Sequence, residues 1–369
     1  MTHKNNSSQK SNIYLEVVEG TLTGFRGMQL DRINALTLAK LIIAFIKSYS
    51  IKKLHVAHDG TLDTSDLELF AIRIINALEL KAFVHETRKA TTIGQASFVI
   101  REKNLDGGVY ISSEKNKIKI ILLDSFGAPL NKKLDKKLNQ KMRGIIFEKM
   151  SFDKCKINNV SKAIYKKYES MVIELMYRKK DTKLLTVFLG INNATDITIQ
   201  RLIAKCDIKF NDVTKLKFLA LLNNDLLLLT NNDASELYVQ EGKKKFTMME
   251  ITLLYLNYLL TQFKYKDLKS SKMFISTFKG HKQIIKLAQI HKIDIHKTTK
   301  GAYNNFIGKN SVKNKIALVA VDHDGRFLTV KTNYPDALVY MCLVIEMANY
   351  YKTQNKTLTY MIKWLKDLL

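Results

Sequence analysis

Two adjacent serines set among lysines, Ser112 and Ser113, are side chains whose types could carry chemistry. Ser112 and Ser113 offer hydroxyl nucleophiles, and Lys115, Lys117 and Lys119 follow at alternate positions, where ammonium groups could offset the charge of a phosphoryl group. Other clusters are less promising. His55 and His58 have no Ser or Cys nucleophile placed near them, so a satisfied core or a strand end facing solvent is expected of both. Asp322-His323-Asp324 has metal-ligand types, but three adjacent side chains rarely converge on one ion without a helix or turn to fold them.

Stepping outward from the serines, Asp106–Leu130 contains two β-rich runs, Val109–Ser112 and Ile118–Leu123. They are joined by the polar segment Ser113–Lys117, which reads as an exposed tip displaying side chains at a sheet edge. Upstream, the apolar spacing predicts a helix over Ala35–Tyr49, a strand at Lys53–Ala57, a helix over Ser65–Leu80, a strand at Ala82–Glu86 and a helix over Thr92–Lys103. Such alternation of strand and helix argues for a layered α/β domain with a largely parallel sheet, ending near Lys149. Helix Lys162–Tyr177, strand Leu184–Leu189 and helix Glu250–Gln262 continue the pattern. So do strand Lys272–Ser276, helix Lys279–His291, strand Lys292–His296 and strand Ile316–Val321.

The 369 residues are enough for two or three domains, each with its own core. Hydrophobic residues make up 46%, so the chain reads as globular, and no apolar run approaches the roughly 20 residues that span a bilayer. Residues 1–11 are polar, lack an apolar signal core and read as a disordered leader. Cys155, Cys206 and Cys342 are odd in number and widely spaced, which favours a reducing cytoplasm and no disulfide framework. With 60 basic against 34 acidic residues the net charge is +26, which admits a polyanion partner. The lysines are spread along the chain, though, and diffuse charge gives weak, non-specific attraction without readout.

Several stretches together resemble the α-D-phosphohexomutases, the phosphoglucomutase/phosphomannomutase family. Gly107-Gly108, Ile111 and Ser112 match the front of that family's phosphoserine loop, and Ile118-Lys119 with Asp124-Ser125-Phe126-Gly127-Ala128-Pro129-Leu130 match its back. The family's S-H-N-P between them is absent. Gly20-Thr21 and Gly24-Phe25-Arg26-Gly27 resemble the opening G-T-S-G-x-R-G, and Asp59 matches the acid of G-R-D-T-R. Asn224–Leu237 resembles A-D-L-I-I-A-T-D-P-D-A-D-R-L, and Lys300-Gly301-Ala302-Tyr303 stands where T-G-F-K is usual. Asp322 and Gly325 keep places in the sugar-recognition loop, and Asp336–Lys352 with Lys356-Thr357-Leu358 resembles the closing D-A-V…E-M-A-A-Y-Y-K…K-T-L.

The resemblance implies three consecutive layered α/β/α domains with mixed, largely parallel sheets, at 12–150, 160–244 and 245–369, without the family's fourth, phosphate-binding domain. It implies catalytic positions at Ser112 and Ser113 with Arg26 and Lys119, and substrate-binding positions at Tyr303, Asp322 and His323. The three Mg²⁺-binding aspartates correspond to Asn231, Asp233 and Ser235, so one carboxylate remains, and a polar turn between strands is the competing reading. Family members move phosphate between a serine and a hexose phosphate through a bisphosphate. Here the serine context, most metal ligands and the sugar loop are altered while the apolar framework persists. The expectation is a catalytically inactive homologue kept as a binding or scaffold protein, possible homo-oligomer included, with no cofactor. The alternatives are a residual mutase acting on a phosphorylated sugar with Mg²⁺, and a basic polyanion-binding protein.

Overall fold

A computed structural model of the chain describes residues 17–18, 21–26, 32–114, 117–130, 132–145, 155–177, 186–190, 196–206, 208–213, 226–262, 273–299, 311–312, 315–329 and 331–369. The expected leader, Lys115 and Tyr303 lie outside these residues.

The first sheet has seven strands: β1 (Val17–Val18), β2 (Thr21–Arg26), β3 (Lys53–His58), β4 (Lys81–His85), β5 (Gly107–Glu114), β6 (Lys117–Leu123) and β7 (Ile157–Val160), in the order β1-β2-β6-β5-β3-β4-β7. β5, β3, β4 and β7 run parallel, and β6, β2 and β1 add antiparallel pairs at one side. Helices α1 (Arg32–Tyr49), α2 (Leu62–Ala77), α3 (Ile93–Glu102) and α4 (Lys132–Gly144) accompany it. Apolar residues on successive strand positions serve opposite faces. Val109, Ile111, Ile120 and Leu122 join Leu41, Phe45, Ile72 and Leu138 in one core, whereas Tyr110, Ile121 and Leu123 join Ile93, Val99 and Ile100 in another. This two-sided burial is what makes the layer α/β/α. At α3 a capping box fixes the start: Gln95 N donates to Thr92 Oγ1, and Thr92 N to Gln95 Oε1.

The second sheet orders β12-β11-β10-β8-β9 from β8 (Val187–Leu189), β9 (Phe210–Asp212), β10 (Leu226–Thr230), β11 (Leu237–Glu241) and β12 (Lys244–Phe246). β10, β8 and β9 are parallel, and β11 and β12 return antiparallel. The third sheet orders β14-β13-β16-β15, with β17 also on β16, from β13 (Met273–Phe278), β14 (Asp294–Thr298), β15 (Ser311–Val312), β16 (Lys315–Val321) and β17 (Phe327–Thr329). Its β14, β13 and β16 are parallel. The remaining helices are α5 (Lys162–Glu174), α6 (Asp196–Cys206), α7 (Met248–Gln262), α8 (Lys282–Ile290), α9 (Ala337–Thr353) and α10 (Leu358–Leu368). One continuous apolar core links the second and third sheets, from Val187 and Leu228 through Leu254 and Tyr258 of α7 to Val319 and Leu343. α7 and α9 are apolar on nearly every side because each is enclosed by this core.

Candidate functional site

β3 ends at His58, opposite Ile111, two residues before β5 reaches Ser113. The Asp59 amide still donates to the Ile111 carbonyl, and the Asp59 carboxylate then takes over from the ladder. Its Oδ2 accepts from Ser113 N at 2.7 Å, while Oδ1 accepts from Thr61 N, Thr61 Oγ1 and Thr64 Oγ1 at 2.9–3.0 Å. A buried acid thus ties the β5–β6 hairpin to the N-terminus of α2. On the other side the pairs Ser112↔Lys119, Ser113↔Ile118 and Glu114↔Lys117 are formed, so the strands run to a connection of two residues, 115–116. Of the polar segment Ser113–Lys117 expected as an exposed tip, Ser113, Glu114 and Lys117 are paired in the ladder, and 115–116 lie outside the described residues. Ser112 lies inside that ladder and is 2% exposed, whereas Ser113 is half-buried.

The turn between β10 and β11 meets this hairpin. Asn232 Nδ2 donates to the Ser113 carbonyl at 2.7 Å, and Lys119 Nζ lies 3.1 Å from Asp233 Oδ2. The turn is also fastened to two helix N-termini, by Ile93 N to the Asp233 carbonyl and Ala337 N to the Ala234 carbonyl. Ala234 adopts a left-handed φ of 54° at its apex. Within it, Asn231 Oδ1 accepts from Glu236 N, Asn231 Nδ2 donates to Ser235 Oγ, and Asp233 Oδ1 accepts from Ser235 N, all at 2.9–3.0 Å. Side-chain-to-backbone bonding of this kind is how Asx-rich turns hold themselves.

From the third sheet, the β16–β17 hairpin contributes Arg326. Its Nε donates to Asp322 Oδ2 at 2.7 Å, NH2 lies 3.2 Å from Asp324, and NH1 lies 3.9 Å from Glu236. Burial acts to lower the Arg326 pKa, but Asp322 beside it leaves it raised. Tyr334 is buried and its hydroxyl is pushed up to about 12, first by burial, with Asp233 and Glu236 adding to the rise and Lys119 and Arg326 opposing it. Burial, then Asp233 and Asp59, also push the Tyr110 hydroxyl up. Among the described side chains the junction holds Asp59, Asp233, Glu236, Asp322 and Asp324 against Lys119 and Arg326.

Residues 20–149 match the family model for phosphoglucomutase/phosphomannomutase, alpha/beta/alpha domain I. These residues form a domain I of the phosphoglucomutase/phosphomannomutase type. No curated protein matches the sequence. The fold of the chain is similar to that of a phosphomannomutase candidate from Thermus thermophilus, at 12% identity and TM-score 0.75, covering 96% of this chain and 84% of the other. It is also similar to a phosphoglucomutase/phosphomannomutase family protein from Burkholderia thailandensis, at 11% identity and TM-score 0.69, over 96% and 79% of the two chains. A third likeness is to the exocytosis-sensitive phosphoprotein parafusin (phosphoglucomutase) of Paramecium in its open form, at 13% identity and TM-score 0.65, over 95% and 76%.

The fold brings Ser112, Ser113, Lys119, Asn231, Asp233 and Ser235 together at one junction. Arg26 ends β2 opposite Lys117 of β6, and the Tyr303 position lies outside the described residues. Asp322 is engaged with its own turn: Oδ1 accepts from Asp324 N and Arg326 N, and Oδ2 from Arg326 Nε. His323 Nε2 lies 3.3 Å from Asp324 Oδ1, and its carbonyl faces His281 Nε2. The donor set at Asn231, Asp233 and Ser235 does not fit a hard divalent cation. Both Asp233 oxygens already accept hydrogens, the Asn231 oxygen serves Glu236 N, and an ammonium group stands where added positive charge would be repelled. His58 is a satisfied core histidine, its Nδ1 accepting from Gly60 N and its Nε2 facing the Arg88 carbonyl. Sequence reasoning missed Arg326, Asn232 and Tyr334. The Asp322…Arg326 spacing across a Gly turn could have revealed the first; Tyr334 carries no motif at all.

Proposed function

We propose that this phosphohexomutase homologue does not catalyse phosphoryl transfer and serves as a binding or scaffold protein, needing no Mg²⁺ and working in the cytoplasm. The observation that carries the reading is the burial of Ser112 within the paired strands β5 and β6. Ser112 is sealed within its ladder, so a hexose phosphate has no in-line approach to that hydroxyl. The neighbouring charge agrees. Among the described side chains acids outnumber bases at the junction, and Lys119 is engaged by Asp233, which weakens the support these groups give to an equatorial phosphoryl charge. We assign the three domains the boundaries read from the sequence, 12–150, 160–244 and 245–369. The residual-mutase reading rests on Ser113, the half-buried serine beside Asn232.

The test is direct. Purified protein is incubated with glucose 1-phosphate, glucose 1,6-bisphosphate and Mg²⁺, and both product formation and serine phosphorylation are followed. The expected result is no turnover and no stable phosphoserine at either position. Turnover that is lost in Ser113→Ala but kept in Ser112→Ala would establish the residual enzyme instead.

A further inference from the structure

α10 buries one apolar face and shows another. Leu358, Met361, Ile362 and Leu365 enter the main core, whereas Tyr360, Trp364 and Leu368 are 54%, 43% and 44% exposed. At i, i+4 and i+8 each side chain is rotated by only about 40° from the last, so the three form a row about 12 Å long. Among the described residues no other element carries three exposed large apolar side chains. The helix is firmly held in this attitude. Glu241 accepts from Leu358 N, Thr359 N and Thr359 Oγ1 at 2.7–2.9 Å, Thr357 Oγ1 accepts from Tyr360 N, and Lys366 pairs with Glu250 at 2.6 Å. The row is not a fold waiting to collapse onto itself.

We propose that α10 is a peripheral docking helix for an anionic lipid surface. The row is convex, on the outside of a surface helix, and so suits insertion into an interface better than reception of a partner's side chain. Trp and Tyr, with an apolar body and a polar edge, favour the headgroup level, and Leu368 adds a purely apolar anchor. Lys363 on α10, Lys352 on α9 and Lys356 in the link between them supply positive charge around this part of the chain; Asp367 lies beside the row, and Lys366 is turned to the opposite side of the helix, where it pairs with Glu250. The net charge of +26 draws the whole molecule toward a negative surface and repels a second copy of itself. Lysines too scattered to read a shaped partner still serve a planar one. The surface uses none of the junction's residues, so its failure would leave the reading above intact.

Trp364 is the only tryptophan in the chain, so its emission reports on this row alone. The full chain is titrated with vesicles of phosphatidylcholine containing about a third phosphatidylserine, and with phosphatidylcholine alone, at about 0.1 M salt. The expected outcome is a blue shift and co-sedimentation with the anionic vesicles only, and quenching of Trp364 when brominated lipid is included. A Tyr360→Ser/Leu368→Ser variant, which keeps the reporter, is expected to lose at least about tenfold in partitioning with an unchanged far-ultraviolet spectrum. Absence of the shift or of quenching in the unmodified chain overturns the proposal, as does undiminished binding by a folded double variant. A shift that follows protein concentration without vesicles would assign the row to a second copy. An equal shift with soluble polyglutamate would assign it to an acidic protein. Either overturns a lipid surface.

Discussion

Lys119 is the residue on which the junction turns. Its ammonium lies 3.1 Å from a carboxylate that is almost wholly buried, so removing it strands a charge in a poorly solvated place. Lys119→Met is expected to lower stability by about 2 kcal/mol in urea denaturation, with part recovered in Lys119→Met/Asp233→Asn, because the second change removes the stranded charge. His55 supplies a second test. It is buried, and desolvation lowers its pKa to about 4, against about 6.5 in the unfolded chain. The unfolded state therefore binds the proton more readily between these values, so the contribution is complete above pH 6.5 and is lost as pH falls toward 4. Its size is about 3 kcal/mol over that window. Urea midpoints measured at pH 7 and pH 4.5 are expected to separate less in His55→Asn than in the parent chain.

At the scale of elements, the N-terminus of α9 joins the units. Asp336 accepts from Leu338 N and Val339 N as the N-cap, and from the Tyr168 hydroxyl of α5 at 2.7 Å. Gly94 of α3 lies so close that an added Cβ would meet Asp336 Oδ2 at 2.0 Å. Gly94→Ala is therefore expected to cost about 2 kcal/mol or more, and Asp336→Ala about 2 kcal/mol through the lost cap and the orphaned tyrosine, both readable by thermal melting. Burial raises the Asp336 pKa to about 6, against about 3.8 unfolded, with its hydrogen bonds opposing the rise. Here the folded state holds the proton longer. The contribution is present below pH 3.8 and fades as pH rises to 6, opposite in direction to His55. Asp336→Asn is expected to remove this slope while retaining the cap. The helices read from apolar spacing are found with ends displaced by a few residues, since pattern locates a helix better than its cap does. How far the β5–β6 pairing runs into Ser113–Lys117 was hidden for a related reason. Polar residues suit both a loop and the end of a hairpin, and only the Asp59 bond to Ser113 N and the pairing with β6 decide between them.

Across the whole molecule, one apolar core passes without a break from the second sheet into the third, and α7 and α9 lie within it. Their central amides are expected to exchange only through the same large-scale opening, so native-state hydrogen exchange in urea should bring Leu254, Tyr258, Leu343 and Met347 onto one common isotherm. Separate isotherms for α7 and α9 would show that the core is not cooperative. The sequence by itself determined the layered α/β architecture, because apolar periodicity records burial directly. It also made the type of the first domain legible, because turn glycines and their neighbours survive where backbone geometry demands them, as at Gly127 with its left-handed φ of 70°. Which polar groups meet was decided only by the tertiary structure. Lys119 and Asp233 stand 114 residues apart, and Tyr168 and Asp336 stand 168 apart. No local spacing encodes such partners. A carboxylate in the sequence can be a metal ligand, a substrate ligand or one half of an internal ion pair, and only the packing of the sheets against one another places an ammonium group beside Asp233.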